Sequence, residues 1–462
     1  MADPPVLADY IAAERERIER RLLEWVGIAS ISAHPDRAAD VRRSAEYTAA
    51  LLAESGLEHV EVLETAGAPS VYADWLHARP GAPTALVYGH HDVQPVDPLH
   101  LWRSPPFEPV LVDGECLGRG AVDDKGQVLF EIEAVRGLLH RDGRLPVNVR
   151  FLVEGEEEIG SPHFEALLRQ HRQRLACDVI VVSDTTMWGP DVPSVCMGMR
   201  GLVGFTVDLR TAAGDLHSGV FGGAVPNPAH LLAAAAAALH DADGRVTLPG
   251  FYDDVRPLTD DEEASLRLLP FDEAAWMAQA GVQRLEGEQG RTTLERVWAR
   301  PTCEIVGIRV GYGGTGIKTI VPATGTMKVT FRLVADQDPD RVAASFEVWA
   351  AQRFGPGVEV TVTGEGRVAP ALTLATHPAV AALSRAVETV WGVPPLFTRE
   401  GGSGPEEALG RVLSAPVLYL GVGLPDDRFH APNERLVMDQ FWKGLMAAGQ
   451  LWVELGADAS RW

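Results

Sequence analysis

The chain has 462 residues, more than one ordinary hydrophobic core organises, which predicts two domains or one domain carrying a large insertion. Its 41 basic and 64 acidic residues leave a net charge of −23, which argues against nucleic acid or an anionic membrane as a partner and favours cations. Cys116, Cys177, Cys196 and Cys303 follow no CxxC spacing and read as reduced thiols of a cytoplasmic protein.

Residues 10–26 repeat apolar side chains at helical spacing among charges. This is an amphipathic helix, with neither the apolar core of a signal peptide nor the length of a membrane span. Residues 40–55 read as a second helix. Apolar strand-like runs follow at 71–75, 84–88, 147–153, 179–182 and 417–420, with helical periodicity at 126–140. That alternation predicts an α/β fold, a mostly parallel sheet with helices on both faces. From about residue 201 the pattern changes: a strand at 202–210, a helix at 228–241, strands at 319–321 and 326–334, a helix at 339–353 and a strand at 358–363. The order β-α-β-β-α-β, with an insertion between 247 and 300, predicts a ferredoxin-like α+β domain. The expected layout is a first domain of residues 1–199 and 368–462 interrupted by a second of residues 200–367. The acidic run at 260–263 reads as a solvated helix start.

Three of the apolar strands end in metal-type ligands: His90, the Glu156 to Glu158 run, and Asp184. Ligands of open parallel sheets bind at the carboxyl ends of strands, so these segments should converge on one crevice. In the extended segment Gly89-His90-His91-Asp92, side chains two apart share a face. His90 is therefore the expected metal ligand and Asp92 its supporting carboxylate, with His91 turned away into packing. Taken alone, a His-x-Asp is more often an ordinary hydrogen-bonded pair, and an acidic triplet is usually a helix start. Hydrolysis, however, needs one carboxylate to hold metal and another to take a proton from water, and adjacent glutamates can divide those roles.

Six motifs stand in order along nearly the whole chain: Gly89-His-His-Asp-Val-Gln-Pro95, Gly118-Arg-Gly-Ala-Val-Asp-Asp-Lys-Gly126, Glu157-Glu-Ile-Gly-Ser161, Val182-Ser-Asp-Thr185, Asp215-Leu-His-Ser-Gly-Val-Phe-Gly-Gly223 and His430-Ala-Pro-Asn-Glu434. Together they resemble the di-metal peptidase family of carnosinase-like dipeptidases, glutamate carboxypeptidase and acetylornithine deacetylase, with the dipeptidase branch nearest. The resemblance implies two divalent ions per subunit, Zn first and Mn or Co as alternatives. One would be held by His90, Asp123 and Asp184 and the other by Asp123, Glu158 and His430, with Asp123 bridging. It also implies Glu157 as general base and acid, Asp92 supporting His90, and a cis peptide between Asp123 and Asp124.

The 200–367 domain becomes, on the same resemblance, a lid through which the chain forms a homodimer. His217 would reach the neighbouring subunit's site to stabilise an oxyanion. Arg332, Gly402 and Ser403 would bind the substrate's terminal carboxylate. Gly404-Pro405-Glu406-Glu407 departs from the branch, where apolar residues are expected; His91 for tyrosine and Val122 for threonine are lesser departures. The implied reaction is hydrolysis of the amide bond of a dipeptide or similar short peptide with a free C-terminal carboxylate, by water activated between the metals. An N-acyl or N-carbamoyl amino-acid amidohydrolase on the same scaffold is the alternative. A non-catalytic metal-binding protein is disfavoured because a binder has no need of Glu157.

Overall fold

In the computed structural model residues 6–457 are described; the expected domain ends at 1–5 and 458–462 lie outside the described residues. The chain divides into two compact units. One comprises the chain up to Met197, Leu372–Thr398 and everything from Gly404 onward; the other comprises Gly198–Ala371 and Arg399–Ser403.

The first unit is built on a sheet whose strands run Glu58–Leu63, Ser70–Trp75, Asn148–Glu154, Thr84–His90, Val179–Val182, Val417–Tyr419 and Ser194–Met199. Its centre is parallel: Thr84–His90 pairs in parallel with both Asn148–Glu154 and Val179–Val182, and the latter with Val417–Tyr419. Every residue of Ser70–Trp75 and of Val179–Val182 is buried. Successive side chains of a strand point to opposite faces, so unbroken burial means that the sheet is covered on both. The helices Ala8–Val26, Lys125–Asp142, Pro378–Trp391 and Met438–Ala457 contribute to that cover through Trp25, Phe130, Leu383 and Trp452, all fully buried in one continuous core.

The second unit has its own core, centred on Phe205, Phe331 and Phe346. Its sheet runs Thr302–Val310, Thr324–Leu333, Gly201–Arg210, Glu359–Val368, antiparallel throughout. With helices Pro228–Ala237 and Pro339–Arg353 as the crossovers, numbering the strands in chain order gives the sequence 2-3-1-4 of a split βαβ arrangement. One expectation is corrected here. The second strand of this sheet is Thr302–Val310, and the run expected at 319–321 supplies only the two-residue strand Ile320–Val321, which pairs with Leu216–His217. Thr302–Val310 is an edge strand whose outward residues Val306 and Ile308 are exposed, so it lacks the apolar and polar alternation that marks a half-buried strand.

Between these elements, the acidic run starts the helix Asp260–Leu268. Thr259 caps it reciprocally with Glu262. Glu262 also receives the Arg399 guanidinium, which ties the Arg399–Ser403 segment to the second unit.

Candidate active site

The site of the first unit grows from the carboxyl ends of its parallel strands. His90 is the last residue of Thr84–His90 and stands opposite Glu154 in the neighbouring strand; Asp184 follows Val182 by two residues. After Glu154 the chain turns tightly through Glu157–Ile159. The three glutamates then separate. Glu156 is buried, accepts the Ala68 N–H at 2.9 Å and faces His163, which makes it structural, whereas Glu157 and Glu158 lie among the charges of the site.

Asp123 sits at the junction, directly before the helix Lys125–Asp142, and its peptide bond to Asp124 is cis. Its two oxygens face different imidazoles: Oδ1 lies 3.1 Å from His90 Nε2, and Oδ2 lies 2.9 Å from His430 Nε2. His90 Nε2 is also 3.5 Å from Asp184 Oδ2, and His430 Nε2 is 3.2 Å from Glu158 Oε2. Two His-carboxylate groups therefore share one aspartate. Ligand atoms bound to one zinc ion at about 2.1 Å lie roughly 3 to 4 Å apart, so these separations suit metal coordination. Among the described residues, His90, Asp123 and Glu158 also offer ligand atoms all within 4.8 Å of one another.

The electrostatics point the same way. Burial pushes the Glu157 carboxyl up to about 10 and that of Glu158 up to about 7, with nearby carboxylates adding to both shifts. Burial also raises Asp123, but the hydrogen bonds to His430 and His90 outweigh it and leave the carboxyl low. His430 is raised to about 10, first by its hydrogen bond to Asp123 and then by that to Glu158. Glu158 Oε1 and Asp92 Oδ1 are buried without hydrogen-bond partners. Crowded, partly unpaired carboxylates are relieved by cations, and a donor set of imidazoles and carboxylates without thiolate suits divalent ions of the Zn, Mn and Co group.

Asp92 supports His90 in a more detailed way than a simple side-chain pair. His90 Nδ1 lies 3.1 Å from the Asp92 main-chain carbonyl and 3.4 Å from Oδ1, while Asp92 Oδ2 accepts the Glu158 N–H at 3.2 Å. His91 is buried against the Pro69 carbonyl, as packing requires. Asp124 accepts the His90 N–H at 3.2 Å, and its carboxylate occupies the space where a Cβ at position 89 would stand, 2.5 Å from Oδ2, so Gly89 is needed there.

Sequence reasoning assigned no role to Glu434, which closes the site from behind. Fully buried, it accepts N–H bonds from Gly120, Val122 and Asp123 at 3.0 to 3.1 Å and pairs with Arg119 Nη1 at 2.7 Å. It thus fixes the loop that presents Asp123 to the loop that carries His430. Three non-glycine residues of the latter loop, Arg428, His430 and Asn433, have positive φ. The motif His430-Ala-Pro-Asn-Glu434 contained the signal, but nothing local told a clamp from a surface glutamate.

The remaining expected residues belong to the second unit. Arg332 Nη1 donates to Ser403 Oγ at 2.9 Å, and Ser403 in turn donates to the Arg200 carbonyl. At Gly402 a Cβ would meet nothing within 4 Å. Arg200 is a further residue that the sequence did not disclose. Its guanidinium is pushed down to about 10, by burial first and then by Arg332, and its Nη1 is buried without a partner. His217 is exposed and accepts the Gly219 N–H on Nδ1 at 2.9 Å, so in the neutral ring the proton sits on Nε2.

A mixed α/β fold with a shared carboxylate between two imidazoles defines a metal-dependent hydrolase. The chain belongs to the peptidase family M20/M25/M40, whose pattern matches residues 86–454. It is similar to the Beta-Ala-His dipeptidase of Homo sapiens, with 29% identity over 98% of this chain and 93% of that protein. It is also similar to the Cys-Gly metallodipeptidase dug1 of Schizosaccharomyces pombe, with 28% identity over 95% of each. Among solved structures, the M20 family metallo-carboxypeptidase Sso-CP2 from Sulfolobus solfataricus superposes with a TM-score of 0.84 at 29% identity, covering 95% of this chain and 99% of that one. The protein is a metallopeptidase of this family, and the family binds metal ions.

Replacing Glu434 by alanine strands the Arg119 charge and three N–H groups in the interior. Glu434→Ala is expected to lower the stability of the first unit by about 3–5 kcal/mol, measured by denaturant unfolding; a loss below about 1 kcal/mol would show that the loop holds its shape without the clamp.

Proposed function

We propose that the chain is a two-metal dipeptidase, hydrolysing the amide bond of dipeptides or similar short peptides that carry a free C-terminal carboxylate. The arrangement that carries this reading is Asp123, with one oxygen on each imidazole, beside Glu157. Its named relatives act on Beta-Ala-His and Cys-Gly, which supports dipeptides as the substrate class.

In this reading His90, Asp123 and Asp184 hold one divalent ion and Asp123, Glu158 and His430 the other, with zinc the best fit and manganese or cobalt compatible. Two such ions, when bound, lower the pKa of a water and polarise the scissile carbonyl. Glu157 accepts the proton of the attacking water on its carboxylate and delivers it to the departing nitrogen. Asp92 keeps His90 oriented through Nδ1, leaving Nε2 for coordination.

The carboxylate end of the substrate is assigned to Arg332, Ser403 and the backbone at Gly402. Arg200 is added to that set, because a buried guanidinium beside a second arginine favours an anion between them. His217, with Nε2–H available, is suited to donate to a developing oxyanion. We assign that donation to the neighbouring subunit's site, which requires a homodimer through the second unit, the lid. Exposed Val220, Phe221, Tyr312 and Ile317 supply apolar surface for such a contact. A cytoplasmic location fits four free cysteines. Among the described residues no helix is long and apolar enough to cross a membrane.

Glu157→Gln is expected to leave metal content intact and to reduce dipeptide turnover by roughly a thousandfold or more. Near-normal kcat in that variant, with metal still bound, would refute the mechanism. Light scattering is expected to report a dimer at micromolar concentration, and a monomer at every concentration tested would remove His217 from catalysis in trans.

A further inference from the structure

The acidic run at residues 260–263 has no part in the proposed function, and its members divide. Glu263 pairs with Arg267 one turn on at 3.2 Å, with both side chains exposed, as a solvated helix start requires. Glu262 is different: its side chain is 19% exposed and that of its partner Arg399 14%. Each of its oxygens has a separate task. Oε2 accepts the Thr259 N–H at 2.8 Å and the Thr259 hydroxyl at 3.1 Å, which closes the reciprocal cap of the helix Asp260–Leu268. Oε1 receives the guanidinium of Arg399 and, at 3.3 Å, that of Arg256. The cap orients the carboxylate, and so fixes the point at which Arg399 is held.

Arg399 opens the five-residue segment Arg399–Ser403, which packs with the second unit although the chain on either side of it belongs to the first. Further contacts within the second unit hold the same segment. Arg200 Nε donates to the Gly401 carbonyl at 3.2 Å, Ser403 donates to the Arg200 carbonyl, and Arg332 Nη1 donates to Ser403 Oγ at 2.9 Å. A Cβ at residue 401 would stand 3.1 Å from Arg200 Nη2 and 3.1 Å from the Val297 carbonyl oxygen, so the segment also lies closely against residues 295–299. Glu262 and Val297 both belong to the insertion between residues 247 and 300, which thus reaches the segment at its first residue and again at its third. Arg200 and Arg332 are groups already assigned to the substrate carboxylate, whereas Glu262 stands outside that set.

We propose that Glu262 is a positioning residue for recognition of the substrate's C-terminal carboxylate: oriented by its own helix cap, it holds Arg399 and thereby sets Gly402 and Ser403 beside Arg332 and Arg200. The inference rests on the assignment of the carboxylate anchor to Arg332, Gly402 and Ser403, and deepens it. Residues 401–403 belong to no helix or strand, so the donors of that stretch are aimed by the contacts at its ends rather than by a regular backbone. Binding groups must be held to within about 0.5 Å of the productive geometry. A largely covered ion pair with a preset carboxylate can do this, whereas an exposed pair such as Glu263 with Arg267 contributes little.

The test uses the full-length, metal-loaded protein with alanyl-alanine and its C-terminal amide. Values of kcat and KM are measured on both, and calorimetry measures binding of the uncleavable phosphinate analogue of each. Wild type is expected to prefer the free acid. Glu262→Gln keeps a side chain able to complete the cap but loses the charge opposite Arg399. It is expected to raise KM for the free acid roughly tenfold while kcat, KM for the amide, metal content and melting temperature stay near wild-type values. Arg399→Gln should act alike, and the double variant should be no weaker than either single one, because a shared contact is lost only once. Glu263→Gln is expected to leave both constants as they are. An undiminished acid preference in Glu262→Gln, an equal rise in KM for acid and amide, or additive losses in the double variant would each overturn the proposal. If Glu262→Gln removes the acid preference and Arg332→Ala keeps it, positioning by Glu262 stands and the anchor was given to the wrong arginine. If the acid preference in binding depends on Glu262 but no dipeptide is hydrolysed, the positioning stands and the hydrolytic reading falls.

Discussion

A carboxylate whose two oxygens point to two different imidazoles is held from both sides, and this constraint shapes the first unit. Asp123 can meet His90 and His430 together only if three stretches far apart in sequence arrive in register: a strand end, a helix-initiating loop and a late loop with positive φ at His430. Glu434 sets that register from the protein side, because one buried carboxylate receives three amides of the Asp123 loop together with Arg119. The cluster in front of the clamp has the opposite character. Its carboxylates are crowded and partly unpaired, and they are suited to cations rather than to one another.

The sheet explains why the cluster forms where it does. Parallel strands buried on both faces leave their carboxyl ends as the place where polar side chains can gather, and the turn after Glu154 delivers two glutamates there within a few residues. The second unit gathers charge of the other sign, with Arg200 and Arg332 beside Ser403.

Much of this was legible in the sequence, for physical reasons. The central strands announced themselves as unbroken apolar runs because both of their faces are buried, and the imidazole and carboxylate side chains expected to hold metal stood at the ends of those runs. The Thr302–Val310 strand did not, because an exposed edge strand carries no strict alternation, so the Ile320–Val321 pair was placed in its position. The family resemblance named His430, but the part played by Glu434 depends on amides more than three hundred residues away in the chain and has no local signature. Arg200 was invisible for a similar reason: what distinguishes it is an unpartnered Nη1 beside Arg332, a property of the folded unit alone. The Arg399–Ser403 segment joins the second unit through contacts such as Arg399 to Glu262, although it lies well past the point where the chain has returned to the first.

The central claim is that Asp123 is shared by two metal ions, and metal stoichiometry tests it directly. Metal-free protein would be titrated with Zn²⁺ by calorimetry, with bound metal confirmed by elemental analysis, for wild type and for His90→Ala, His430→Ala and Asp123→Ala. Two ions per chain are expected in wild type, one in each histidine variant, and weak binding at both positions in Asp123→Ala. Retention of one tightly bound ion in Asp123→Ala, or a wild-type stoichiometry of one, would contradict the account.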